Sequence, residues 1–75
     1  MMVKDLDMTA AIIAATGQQP ALNDHREAGL TGFTFPDTAE ITKAAALYYT
    51  GDLFISARKL LKARGDLYKQ LRRKK

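Results

Sequence analysis

The spacing of apolar positions along this chain switches from a helical period to a period of two and back, and each switch marks a change of element. Asp5 and Asp7 lead into the Ala/Ile-rich run Met8 to Thr16, which closes at Gly17. Acids at the front suit the positive end of a helix dipole, and glycine just past the end suits a left-handed cap. This predicts a first helix with Leu6, Ile12 and Ile13 as its larger core residues. Its alanines would let another helix approach closely. Pro20 then disfavours helix. Thr31, Phe33 and Phe35 alternate with Gly32 and Thr34, a period of two that predicts a strand. A weaker strand signal lies near Ala21 to Asp24, and His25 to Gly29 between them reads as a hairpin loop. A lone hairpin is marginal in water, so Phe33 and Phe35 are expected to pack on helices.

The second half returns to helical spacing. Asp37 and Glu40 stand three apart after Pro36, the spacing of a capping box. A helix is predicted from there to about Thr50, stopped by Gly51. Ile41, Ala44, Ala45 and Tyr48 share one face, and Tyr49 lies at its edge. Leu53-Phe54-Ile55 is a short apolar connector, and Ser56 is a candidate N-cap for the last helix. In that helix Leu60, Leu61, Leu67, Tyr68 and Leu71 fall on about a third of the circumference. Arg64 lies within this stripe and must snorkel or meet a carboxylate. Gly65-Asp66 either weakens one helix or splits it in two; the continuous apolar phase favours one helix. The expected fold is therefore α+β, a single domain over residues 1–75 in the order α-β-β-α-α. A two-stranded antiparallel hairpin packs on three helices around Phe33, Phe35, Ile41, Tyr48, Leu60, Leu67 and Leu71. Residues 4–72 form the ordered core, and 73–75 a frayed tail.

Composition sharpens this reading. The chain has 75 residues, no cysteine and 47% hydrophobic residues. So short a chain buries roughly 60–65% of its unfolded surface and has modest stability, and neither a disulfide nor a cysteine metal site supports it. Small size without such staples makes self-association a fair option. The longest apolar run, Met8 to Ala15, is far short of the ~20 residues of a membrane span. Its flank Lys4-Asp5-Leu6-Asp7 carries more acid than base, unlike a signal peptide. A cytoplasmic protein is expected, with no membrane contact.

The elements together resemble a small bacterial and phage domain family of unknown function. The resemblance is carried by Asp5-Leu6 before an alanine-rich helix closed at Gly17, the Phe33-Thr34-Phe35 strand and the acidic turn at Asp37. It continues through Tyr49-Thr50-Gly51 and a basic helix holding Leu61-Lys62 and Leu67-Tyr68. It spans roughly residues 4–72. It implies a helix–hairpin–helix–helix fold and no catalytic residue. It also implies a phage or mobile-element setting, which favours a nucleic-acid or phage-accessory role. The chain departs from the pattern at Ala21-Leu22-Asn23, which is short and polar.

Charge is the one functional signal. Residues 51–75 hold nine Lys/Arg and two acids, a net of +7, whereas residues 1–50 hold three Lys/Arg and six acids, a net of −3. Arg58, Lys62, Lys69 and Arg73 cluster opposite the leucines, with Arg72 beside them. Such a face suits an anionic partner. The leading expectation is a non-enzymatic accessory domain whose Arg58, Lys62, Lys69, Arg72 and Arg73 contact the phosphates of DNA or RNA without reading sequence. The alternative is a protein-interaction module or homodimer using Leu53, Phe54 and Tyr68. The plain reading is a solvated face that keeps the chain soluble. His25, with Asp24 and Glu27 nearby, reads as a solvated loop rather than a metal site or a general base. The carboxylates at helix starts read as caps. Gly29-Leu30-Thr31-Gly32 is a hairpin feature without a phosphate-loop motif. Tyr49 and Tyr68 are explained by helical spacing, with base stacking as the competing use. No catalytic residue, cofactor or metal is expected.

Overall fold

The computed structural model describes residues 1–25 and 30–73, with side-chain surroundings for residues 1–22 and 32–71. The elements in chain order are β1 (Met2–Val3), α1 (Leu6–Thr16), β2 (Ala21–His25), β3 (Leu30–Thr34), α2 (Ala39–Thr50) and α3 (Ala57–Arg73). The mixed α and β content agrees with expectation, but the order and the sheet do not. Three antiparallel strands lie in the order β1-β3-β2, so the hairpin gains a partner from the start of the chain. Val3 stands opposite Phe33, and Leu22 opposite Phe33 from the other side. This row places Val3, Phe33 and Leu22 on one face of the sheet, with Val3 and Phe33 buried and Leu22 half-buried. β1 continues outward through paired bonds between Met1 and Phe35, each 2.9 Å. The Met1 ammonium also donates to Asp37 Oδ1 at 2.8 Å.

That bond explains a second difference. Asp37 does not cap α2; its neighbour Thr38 does, its hydroxyl accepting from the Ile41 amide at 3.2 Å. Glu40, expected to close a capping box, instead accepts from Gln18 Nε2 at 3.1 Å. α1 starts at Leu6, with Asp5 as its cap: Asp5 Oδ1 accepts from the amides of Asp7 and Met8. The predicted stops hold: Gly17 and Gly51 both take positive φ, 74° and 81°, and cap α1 and α2.

α1 is the axis of the molecule. Met8 through Ile13 are buried without a break, since α1 is covered by α2, α3 and β1. Thr9, the one buried polar residue among those described, turns its hydroxyl to the Asp5 carbonyl at 2.8 Å. Ala10 and Ala11 are buried on α1, Ala44 and Ala45 on α2, and Ala63 on α3. Small side chains at these contacts allow the helices to approach closely. Phe35, Ile12, Ile41 and Leu67 are the largest fully buried apolar side chains. Each contributes about 1.5–3 kcal/mol by leaving water. Tyr48, Leu60 and Leu71, expected inside, pack against this core only in part.

α3 is one helix through Gly65, as the apolar phase required. It spans about 25 Å. Ser56 stands at its start, and its carbonyl accepts from Leu60 N at 3.0 Å. The hairpin-loop residues 26–29 expected between β2 and β3 lie outside the described residues, as do Lys74 and Lys75.

Candidate interaction surface

α3 has a narrow seat. It packs chiefly on α1, so only the arc through Ala63 and Leu67 is buried, with Leu60 and Leu71 half-buried beside it. The expected stripe was wider. Leu61 is 66% exposed and Tyr68 43% exposed, so these two face solvent rather than the core. The reason is angular: Leu60 and Leu61 differ by about 100° around the helix. A single supporting helix cannot cover both.

The basic residues lie further round. Arg58, Lys62 and Lys69 are exposed on an arc about 40° wide. Lys62 Nζ is 3.4 Å from Asp66 Oδ2, one turn along. Arg72 and Arg73 are in α3, and their side chains lie outside the described residues. Of the five candidate phosphate contacts, Arg58 and Lys69 have no ion-pair partner among the described residues.

Arg64 found the carboxylate that its position demanded. Its Nε donates to Asp7 Oδ1 at 2.8 Å, and its Nη2 reaches the Tyr68 hydroxyl at 3.3 Å. The guanidinium carbon lies 5.2 Å from the centre of the Tyr68 ring. The Asp7 hydrogen bond first, then Tyr68 and the Asp7 charge, hold its pKa above the usual value. Arg64 is thus a fixed cation. Tyr48 is shifted too: partial burial, then the charges of Asp5, Asp7 and Tyr49, raise its phenol pKa. It stays a neutral phenol near neutral pH.

Ahead of α3, Leu53 and Ile55 turn inward while Phe54 between them stands 93% exposed. An open cleft of about 350 Å³ is lined by Tyr48, Leu53, Ile55, Leu60 and Leu61, with Asp7 and Arg64 as its charged members. A second groove of about 460 Å³ lies against the same connector and takes in Phe54, Leu47, Lys43 and Lys59. Large exposed apolar side chains beside an apolar cleft are the features that mark contact surfaces. The sequence places Leu61 with the core, whereas Tyr68 is offered there both as part of the apolar stripe and, with Leu53 and Phe54, as an exposed contact edge. The adjacency of Leu60 and Leu61 was the signal against placing Leu61 inside.

Among the described residues no group of three or more His, Cys, Asp or Glu is placed to hold a metal. Asp24 and His25 are described in backbone only, within β2, and Glu27 lies outside the described residues. No helix among the described residues is long and apolar enough to cross a membrane. No protein-family model, curated protein or solved structure matches the chain.

Proposed function

We propose that this chain is a non-enzymatic protein-interaction module. Its contact surface is the apolar flank of α3 together with the connector ahead of it. The observation that carries the reading is the exposure of Phe54, Leu61 and Tyr68 at 93%, 66% and 43% along α3 and its connector, with Leu61 lining the apolar cleft and Phe54 the groove that shares Leu53 and Ile55 with it. A fold this small gains stability by burying every large apolar group it can. Of the five large apolar side chains exposed among the described residues, Met2, Tyr49, Phe54, Leu61 and Tyr68, the last three lie on α3 and its connector, where one partner covers them together. The test is capture from a host extract after nuclease digestion. The wild-type chain retains a discrete protein, and Phe54→Ser with Leu61→Ser loses it. Capture that nuclease abolishes, or that the serine variant keeps, overturns the reading.

A second reading has its own observation: Arg58, Lys62 and Lys69 share one solvent-facing arc. There the partner is a nucleic-acid backbone, met by these three with Arg72 and Arg73. Neutralising ~4–5 phosphates makes log affinity fall with log salt at a slope near −4. No binding to duplex or single strands at ~50 mM salt removes this reading, as does unchanged affinity after Lys62→Glu with Arg73→Glu.

A further inference from the structure

Gly65 sits on the outward side of α3, and nothing within the fold requires a glycine there. The positive-φ glycines among the described residues are Gly17 and Gly51, not Gly65. A Cβ built at Gly65 meets no atom within 4 Å. Glycine weakens a helix interior, so the chain keeps a weak point for which its own packing gives no return. Leu61 stands four residues before it and Tyr68 three after, all within about 60° of arc. Both flanking side chains are substantially exposed, 66% and 43%. The relief is a bare stretch of backbone between two large apolar side chains. A crossing helix fills such a gap by setting a ridge of side chains over the glycine.

We propose that the Leu61–Gly65–Tyr68 strip is the crossing site for an acidic amphipathic helix of a partner protein. This rests on the interaction-module reading and names the partner's chemistry. Charge selects the occupant. Arg58, Lys62 and Lys69 border the strip on one side and Arg64 on the other. Asp66 engages Lys62 and Asp7 engages Arg64, which leaves Arg58 and Lys69 without ion-pair partners among the described residues. A helix lying across Gly65 brings its own flanking residues to these two cations. Carboxylates there are attracted and lysines repelled, so the border both favours acidic partners and rejects basic ones.

A second copy of this chain does not supply that occupant. Its α3 would bring the same cations face to face. Its acids at Asp5, Asp7, Asp37 and Glu40 sit near the starts of α1 and α2. α1 is buried from Met8 to Ile13 and has no free apolar face to offer. A nucleic acid gains from Arg58 and Lys69 but has no use for Leu61 or for the gap at Gly65.

The test uses the full chain and a synthetic peptide of ~18 residues, long enough for about five helical turns. Leucine stands at every third and fourth position, with glutamate and alanine elsewhere, and binding is read by fluorescence anisotropy. Wild type is expected to bind it at least about tenfold tighter than a scrambled peptide of the same composition. The decisive variant is Gly65→Gln. A glutamine strengthens the helix and raises the melting temperature by a few degrees. It also props the partner away, and weakens binding about tenfold or more. Leu61→Ser with Tyr68→Ser, and Arg58→Glu with Lys69→Glu, each weaken binding by a similar factor. Equal affinity in Gly65→Gln and wild type overturns the proposal, as does equal affinity for the scrambled peptide. Displacement of the peptide by a mixed-sequence oligonucleotide whose own binding ignores Leu61→Ser overturns it in favour of nucleic acid. If the peptide fails to bind while nuclease-resistant capture from extract persists, the acidic helix is refuted and the interaction module stands.

Discussion

Arg64 Nε donates to Asp7 Oδ1 at 2.8 Å and so ties the middle of α3 to the first turn of α1, across 57 residues of sequence. Both side chains are partly exposed, so the pair positions Arg64 and Tyr68 beside the cleft more than it stabilises the fold. A double-mutant cycle on Arg64→Ala and Asp7→Ala is expected to show a small favourable coupling in thermal melts. The coupling should shrink between ~0.05 and ~1 M salt, as screening requires. A coupling that ignores salt contradicts this account.

Glycines at different places in the helices should respond in opposite senses. Gly65→Ala fills open space on a helix interior. It should stabilise the chain by about 1 kcal/mol, or roughly 4–8 °C in melting temperature for a domain of this size. Gly51→Ala forces a side chain into positive φ, 81° here, and should destabilise by about 1 kcal/mol or more. Differential scanning calorimetry of the two variants checks both signs.

The same helix offers a contrast between neighbouring leucine sites. Leu67 is fully buried, and Leu67→Ala should cost about 2–5 kcal/mol, a large share of the stability of so small a domain. Leu61→Ala removes an exposed side chain and should change stability by less than about 0.5 kcal/mol. Urea titrations give both values. A Leu61→Ala cost comparable to that of Leu67→Ala shows Leu61 to be core and removes it from the interaction surface.

Tyr48 predicts an alkaline limb. Its phenol pKa is raised from the usual 10.0 in the fold, first by burial and then by the charges of Asp5, Asp7 and Tyr49. The unfolded chain therefore gives up this proton first as pH rises. The contribution is constant below about pH 10 and is lost as pH climbs through the folded value. Tyr48→Phe should soften the fall in melting temperature as pH rises above about 10, relative to wild type. Parallel alkaline limbs in the two proteins contradict this.

Much of the fold is legible where one local cause dominates. Phe33 and Phe35 show a period of two that no helix explains, and both are buried in or beside β3. Gly17 and Gly51 stop their helices because left-handed caps favour glycine. Arg64 in an apolar stripe required a carboxylate, and Asp7 is there. The remainder depends on what lies opposite. β1 is two residues long, too short for any periodicity, and exists because β3 has an open edge. Thr38 and Asp37 are both good caps; the Met1 ammonium decides between them by engaging Asp37. Leu61 and Tyr68 fit an apolar stripe on a helical wheel, yet α3 has too narrow a seat to cover them. Leu61 thereby joins Phe54 and Tyr68, which the sequence already offers as a contact edge, because an apolar residue that the pattern wants inside and the packing leaves outside is available to a partner.

The most direct test of the contact surface is a photo-crosslinking phenylalanine analogue placed at position 61 in living host cells. Position 42 serves as the control, since Thr42 is exposed on α2 and lines neither the cleft nor the groove beside the connector. The account predicts a discrete, nuclease-resistant protein adduct from position 61 and none from position 42. No adduct at position 61, or one that nuclease removes, contradicts it.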